Sequence, residues 1–194
     1  MVMAKIDRLI AQTYALAEQF PIMPVEEIRL SVAFAKLPKP KQVVLRLLTE
    51  LFDHDNMHVR RVAINACRRI RLFEIPGLRE AIIRKLRDPN HWVQYDAVWT
   101  VQDAGYDGPD VRKCLRALAA GVKLPKDEER LKTGPSNAEL AARVRARVAL
   151  DTLLAARPAQ RRVHAACRTT EYGPSLRPAR SSSAALGGAN RIRR

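Results

Sequence analysis

Two stretches of this chain copy each other at an offset of 34 residues. Asp55–Ala63 reads DNMHVRRVA and Pro89–Ala97 reads PNHWVQYDA. Asn56 falls on Asn90, Val59 on Val93 and Ala63 on Ala97. Upstream, Leu48 falls on Ile82 and Phe52 on Leu86. A unit of this length cannot bury its apolar side alone, so copies must stack and share one continuous core. Within each copy the apolar residues keep helical spacing. Val59, Val62, Ala63, Ala66, Cys67 and Ile70 make one inward face, and Val93, Ala97, Thr100, Val101 and Ala104 make the other.

Helix signals run through most of the chain and predict eight helices. The first spans about Ala4 to Gln19, with Ile6, Leu9, Ile10, Leu16, Ala17 and Phe20 as its stripe. The second covers Val25 to Ala35. The third opens at Pro38 or Pro40 and runs to Phe52. The fourth starts near Asn56, and the fifth runs from Pro76 to Arg87. Asp88 or Asn90 caps the sixth, which stops near Gly105. Pro109 opens the seventh, which ends at Gly121, and a charged loop covers 122–135. Ser136-Asn137-Ala138-Glu139 has the form of a capping box and begins the last helix, expected to end near Ala156. Hydrophobic residues are 47% of the chain and aromatics 5%, which suits helices packed through Ala, Leu, Val and Ile.

Composition changes at Arg157. Lysine disappears, and Arg, Ala, Ser, Pro and Gly take over without periodicity. Residues 157–194 hold nine arginines and one acid, Glu171, so about half of the net charge of +15 lies there. Such a segment buries too little surface to offset its ordering entropy and reads as a disordered basic tail. Two domains are therefore expected: a helical repeat domain over 1–156 and the tail over 157–194. The three cysteines, Cys67, Cys114 and Cys167, form no pair at metal or redox spacing, and Cys67 falls on an apolar helix face. No apolar run has the length of a membrane span, and the residues before Ala15-Leu16-Ala17 are too polar for a leader peptide. The expectation is a soluble cytoplasmic protein with no membrane contact.

The run Val59-Arg60-Arg61-Val62-Ala63-Ile64-Asn65-Ala66 and its copy around Val93-Gln94-Tyr95-Asp96-Ala97 resemble HEAT repeats. Val144-Arg145-Ala146-Arg147-Val148-Ala149 is similar to a third, displaced copy. The resemblance covers roughly 39–120. It implies an all-α solenoid of helical hairpins whose second helices line a concave surface. In that family an aspartate before the second helix and an arginine after its valine link neighbouring repeats. Here the first copy keeps Arg60 and has His54 at the aspartate position. The second keeps Asp88 and has Gln94 at the arginine position. Arg60 and Asp88 are thus left to pair with each other. The family consists mainly of binding scaffolds.

At 100° per residue, Trp92, Asp96, Trp99 and Asp103 share one strip of the sixth helix, beside Tyr95 and Gln102. Both tryptophans of the chain lie on it. The 34-residue offset puts His58, Arg61, Asn65, Arg68 and Arg69 on the matching face of the fourth helix. Aromatic residues beside arginines have the composition of an interface hot spot. Arg61, Asn65, Arg68, Trp92, Tyr95 and Trp99 are accordingly the candidate partner-binding residues. The competing account is that these tryptophans fill grooves between helices and the charges form inter-repeat salt bridges.

The leading expectation is a non-enzymatic interaction module that binds a protein, with no cofactor and no metal. The alternative is nucleic-acid binding, supported by Arg68-Arg69-Ile70-Arg71 and the basic tail. Trp92-x-x-x-Asp96 also faintly resembles the pocket of HEAT-like alkylpurine DNA glycosylases. His54 and His58 sit between aspartates, but they align with Asp88 and Trp92 and so follow the repeat rather than a ligand pattern. Phosphate-loop, dinucleotide and serine-elbow motifs do not occur.

Overall fold

Prolines and asparagines set the helix starts. The computed structural model describes residues 2–19, 22–120 and 135–170, with side chains of the last helix over 138–155. Its elements are α1 (Val2–Ala17), α2 (Pro24–Ala35), α3 (Pro40–Glu50), α4 (Met57–Ile70), α5 (Leu78–Lys85), α6 (His91–Ala104), α7 (Pro109–Ala119) and α8 (Pro135–Thr170). Among the described residues there is no strand. A proline opens α2, α3 and α7, where its missing N–H removes a donor that had no partner anyway. Asparagine caps the two repeat copies. The Asn56 side chain accepts from the His58 amide at 2.8 Å, and that of Asn90 accepts from the Trp92 amide at 2.9 Å. Replacing Asn90 by Ala is expected to cost about 1 kcal/mol, read as a lower urea midpoint with an unchanged slope.

Asn90, not Asp88, is the cap of α6. Asp88 is instead buried and bound by Arg60, as the repeat grammar anticipates. Arg60 Nε lies 2.9 Å from Asp88 Oδ2 and Nη2 lies 2.7 Å from Oδ1. The other Nη of Arg60 donates to the carbonyls of His54 and Asp55. One fork thus ties the turn before α4 to the turn before α6, with its donors satisfied.

Contacts divide the chain into Met1–Ala155 and Ala156–Arg194. Within the first unit, α1 pairs with α2, α3 with α4 and α5 with α6. The even helices also touch their successors, α2 with α4 and α4 with α6, while α1 meets α3 and α5 meets α7. α4 sits at the centre and packs against α1, α2, α3 and α6. Its predicted inward residues Val59, Val62, Ala63, Ala66 and Cys67 are fully buried, and Ile70 is half-buried. Burial pushes the Cys67 thiol well above its ordinary pKa, which leaves it an inert core residue. On α6, Val93, Ala97, Thr100 and Val101 are buried as expected, while Ala104 is only half-buried. Thr13 of α1 is buried too. Its hydroxyl donates to the Leu9 carbonyl at 2.8 Å, so the core accepts it.

Three expectations need correction. α8 begins at Pro135, so Ser136 lies inside the helix rather than capping it. Glu139 is turned to Arg143 one turn on, and to His91 at 3.8 Å. α8 also runs through Thr170 instead of ending near Ala156, which makes 157–170 helical where a disordered tail was expected. Ala159, Arg161, Arg162, Ala165, Ala166 and Arg168 are strong helix formers, so local propensity favours helix there even without an apolar stripe. Finally, α5 is shorter than predicted at both ends: it starts later because Gly77 precedes it in a left-handed conformation (φ 83°), and it ends at Lys85. Phe20, the charged loop over 122–134, the side chain of Cys167 and the tail from 171 lie outside what the structure describes.

Candidate functional site

The six candidate residues come together on the layer formed by α2, α4 and α6. Helical periodicity puts Trp92, Tyr95 and Trp99 on one side of α6. Tyr95 meets Trp92 edge-on at 5.9 Å and Trp99 edge-on at 6.0 Å between ring centroids. Such T-shaped pairs place the positive edge of one ring on the negative face of the next. Arginines cover the rings. Arg61 lies over Trp92 at 5.6 Å, and Arg68 lies over Trp99 at 4.0 Å. A third, Arg145 of α8, lies over both Trp99 (4.5 Å) and Tyr95 (5.9 Å). Trp92 remains 37% exposed, whereas Tyr95 and Trp99 are half-buried.

Arg61 is turned inward. Its Nη1 is 2.7 Å from Glu27 Oε2 on α2, and its Nε is 2.8 Å from Asp96 Oδ2 on α6. Both carboxylates are buried. Glu27 also meets the His58 ring. One arginine on the middle helix therefore joins two acids on the flanking helices. Burial holds the Asp96 carboxyl above the usual carboxylate range, and Arg61 beside it offsets only part of that. Asn65 supports the row: its amide donates to the Arg61 carbonyl at 3.1 Å and its Oδ1 accepts from Arg68 at 3.2 Å. Arg68 also reaches Asp103 at 3.3 Å.

Two concave places lie on this layer. The smaller, of about 250 Å³, has Glu27, Arg61 and Asp96 in its wall with Tyr95 and Trp99 beside them. The larger, about 630 Å³ and wide open, lies where α2, α4 and α6 end. The Nε atoms of Arg68 and Arg145 are buried without a hydrogen-bond partner, pressed against aromatic rings. Among the described residues no group of three or more His, Cys, Asp or Glu gathers as metal ligands would. His54 stacks on Tyr14 at 5.3 Å and accepts from the Asn56 amide, while His58 faces Glu27. Among the described residues no helix is long and apolar enough to cross a membrane.

Glu27 and Arg145 belong to this surface and were not among the candidates. Glu27 was legible in principle, because carrying the 34-residue offset one step upstream puts it at the place of Arg61, and Ser31 at that of Asn65. Arg145 had no such signal, since its displaced copy is out of step with the others. No protein-family model, no curated protein and no solved structure matches this chain.

Proposed function

We propose that the chain is a HEAT-repeat-like interaction module, without catalytic activity of its own, that binds a protein partner on the layer of α2, α4 and α6. The row Trp92–Tyr95–Trp99, interleaved with Arg61, Arg68 and Arg145, carries this reading. Tryptophan, tyrosine and arginine are the residues that dominate binding energy at protein interfaces. Arg61 and Asn65 hold the row in place, while Trp92 and the edges of Tyr95 and Trp99 meet the partner. A nucleic acid would need bare ring faces for its bases to stack upon. On Trp99 two guanidiniums already occupy that role, which favours a protein.

A photo-crosslinking amino acid such as benzoylphenylalanine, placed at position 92 in the full chain and irradiated in cells, tests this. A protein adduct is expected at position 92 and not at exposed Lys41 on α3. Equal labelling from both positions, or an adduct made only with nucleic acid, would overturn it.

A further inference from the structure

The wide hollow at the ends of α2, α4 and α6 is lined by Lys36, Arg68, Arg69 and Arg71, with Asp103 as its one carboxylate and Trp99 at its side. Arg68 is the one that meets Asp103. Arg69 is held by a hydrogen bond to the Ser31 hydroxyl at 3.1 Å. Among the described residues, Lys36, Arg69 and Arg71 form no ion pair. We propose that this hollow takes an acidic segment of the protein partner, with Arg69 and Arg71 holding its carboxylates.

A plainer account is that these cations only balance the helix dipoles, since three helices end here. Three C-termini supply roughly −1.5 elementary charges. Four cations and one carboxylate leave a net of three positive charges, so balancing the dipoles uses about half of it. The backbone at Arg71 adds an independent observation. Arg71 ends α4 in the left-handed region, at φ 61°. The residue 34 positions later, Gly105, ends α6 in the same way, at φ 65°. This cap conformation suits glycine and strains a residue with a Cβ. The second copy uses glycine and the first keeps arginine despite the strain. Strain of this kind clusters at ligand clamps and binding sites, and here the strained residue is one of the three cations that line the hollow without an ion pair.

The inference rests on the protein-binding reading of the same layer and names the chemistry of the partner. It is tested with the full chain and a short Asp/Glu-rich peptide lacking aromatic residues, followed by the fluorescence of Trp92 and Trp99. Binding that weakens with added salt is expected. Arg71→Gly should bind about tenfold more weakly, a change of about 1.4 kcal/mol. The same variant should melt about 2–4 °C higher, because glycine relieves the left-handed strain. Arg69→Gln should lose a similar share of affinity with no gain in melting temperature. A parent chain that does not bind the peptide overturns the inference. So does an Arg71→Gly variant that binds it as well as the parent, or a single-stranded oligonucleotide of equal charge that binds more tightly. If the peptide fails while position 92 still crosslinks a protein, only the acidic class is lost. If both fail, the interaction surface itself is wrong.

Discussion

Ala97→Asp is expected to leave the helical domain unfolded at 25 °C. Ala97 has no exposed surface, and it lies on the buried face of α6 with Val93, Thr100 and Val101. The aspartate would bring two oxygens into the buried core, where its neighbours one turn away on the same face, Val93 and Val101, offer no donor. A buried carboxylate without partners costs several kcal/mol, against a total stability of about 5–15 kcal/mol for a domain. Overpacking adds to that. Ala63→Asp, at the equivalent place on α4, should behave alike. Far-ultraviolet circular dichroism with a urea titration is the measurement, and Gln12→Asp on the exposed side of α1 is the control. A variant that unfolds cooperatively at the parent's midpoint would mean that α6 has a different register.

Arg61→Met should destabilise by about 3–5 kcal/mol, because it takes the ion-pair partner from buried Asp96 and leaves buried Glu27 with His58 alone. The methionine fills most of the arginine stem, so the loss is electrostatic rather than a cavity. The pH dependence separates the two causes. Burial already raises the Asp96 pKa above its unfolded value, even with Arg61 present. A carboxyl raised in this way favours the folded state fully below its unfolded pKa, and that contribution is lost as pH rises through the folded pKa. Removing Arg61 deletes the main factor holding this pKa down, so the window of loss extends upward. The deficit of the variant against the parent should therefore be larger near pH 7 than near pH 5, measured as the difference in urea midpoints. A deficit that is the same at both values would assign it to packing. Adding Asp96→Asn to Arg61→Met should recover part of the stability at neutral pH, since an amide carries no charge to strand.

These two predictions differ in how far they were readable beforehand. The inward place of Ala97 follows from spacing alone, because a helix has a fixed period and the 34-residue copy gives the same answer at Ala63. The clamp at Arg61 does not follow from spacing. Arg61 stood among the partner-binding candidates because its face of α4 carries arginines, and a row of charges looks the same whether it meets solvent or buried acids. Glu27 supplies the difference, and it stands on a helix outside the segment where the repeat is clear. The competing account of the strip, inter-repeat salt bridges, thus describes Arg61 well. Trp92, at the surface, is the residue of the strip that the proposed partner would reach first.

By itself the sequence determined what depends on local chemistry and on a fixed period. It set eight helices, the prolines that open α2, α3 and α7, the asparagines that cap α4 and α6, and the buried faces of α4 and α6, while the Arg60–Asp88 pair was expected only through the resemblance to a repeat family. Helix caps act within three or four residues, and periodicity decides which side of a helix is apolar without reference to its neighbours. Only the tertiary structure decided how the polar side of the even helices is wired. Arg61 joins Glu27 and Asp96, Arg145 comes over Trp99 from α8, and Arg71 takes the conformation that Gly105 takes one repeat on. Each of these depends on which helix lies alongside and at what height. A charged side chain is long enough to reach several partners, so its choice is made by packing and not by its place in the chain.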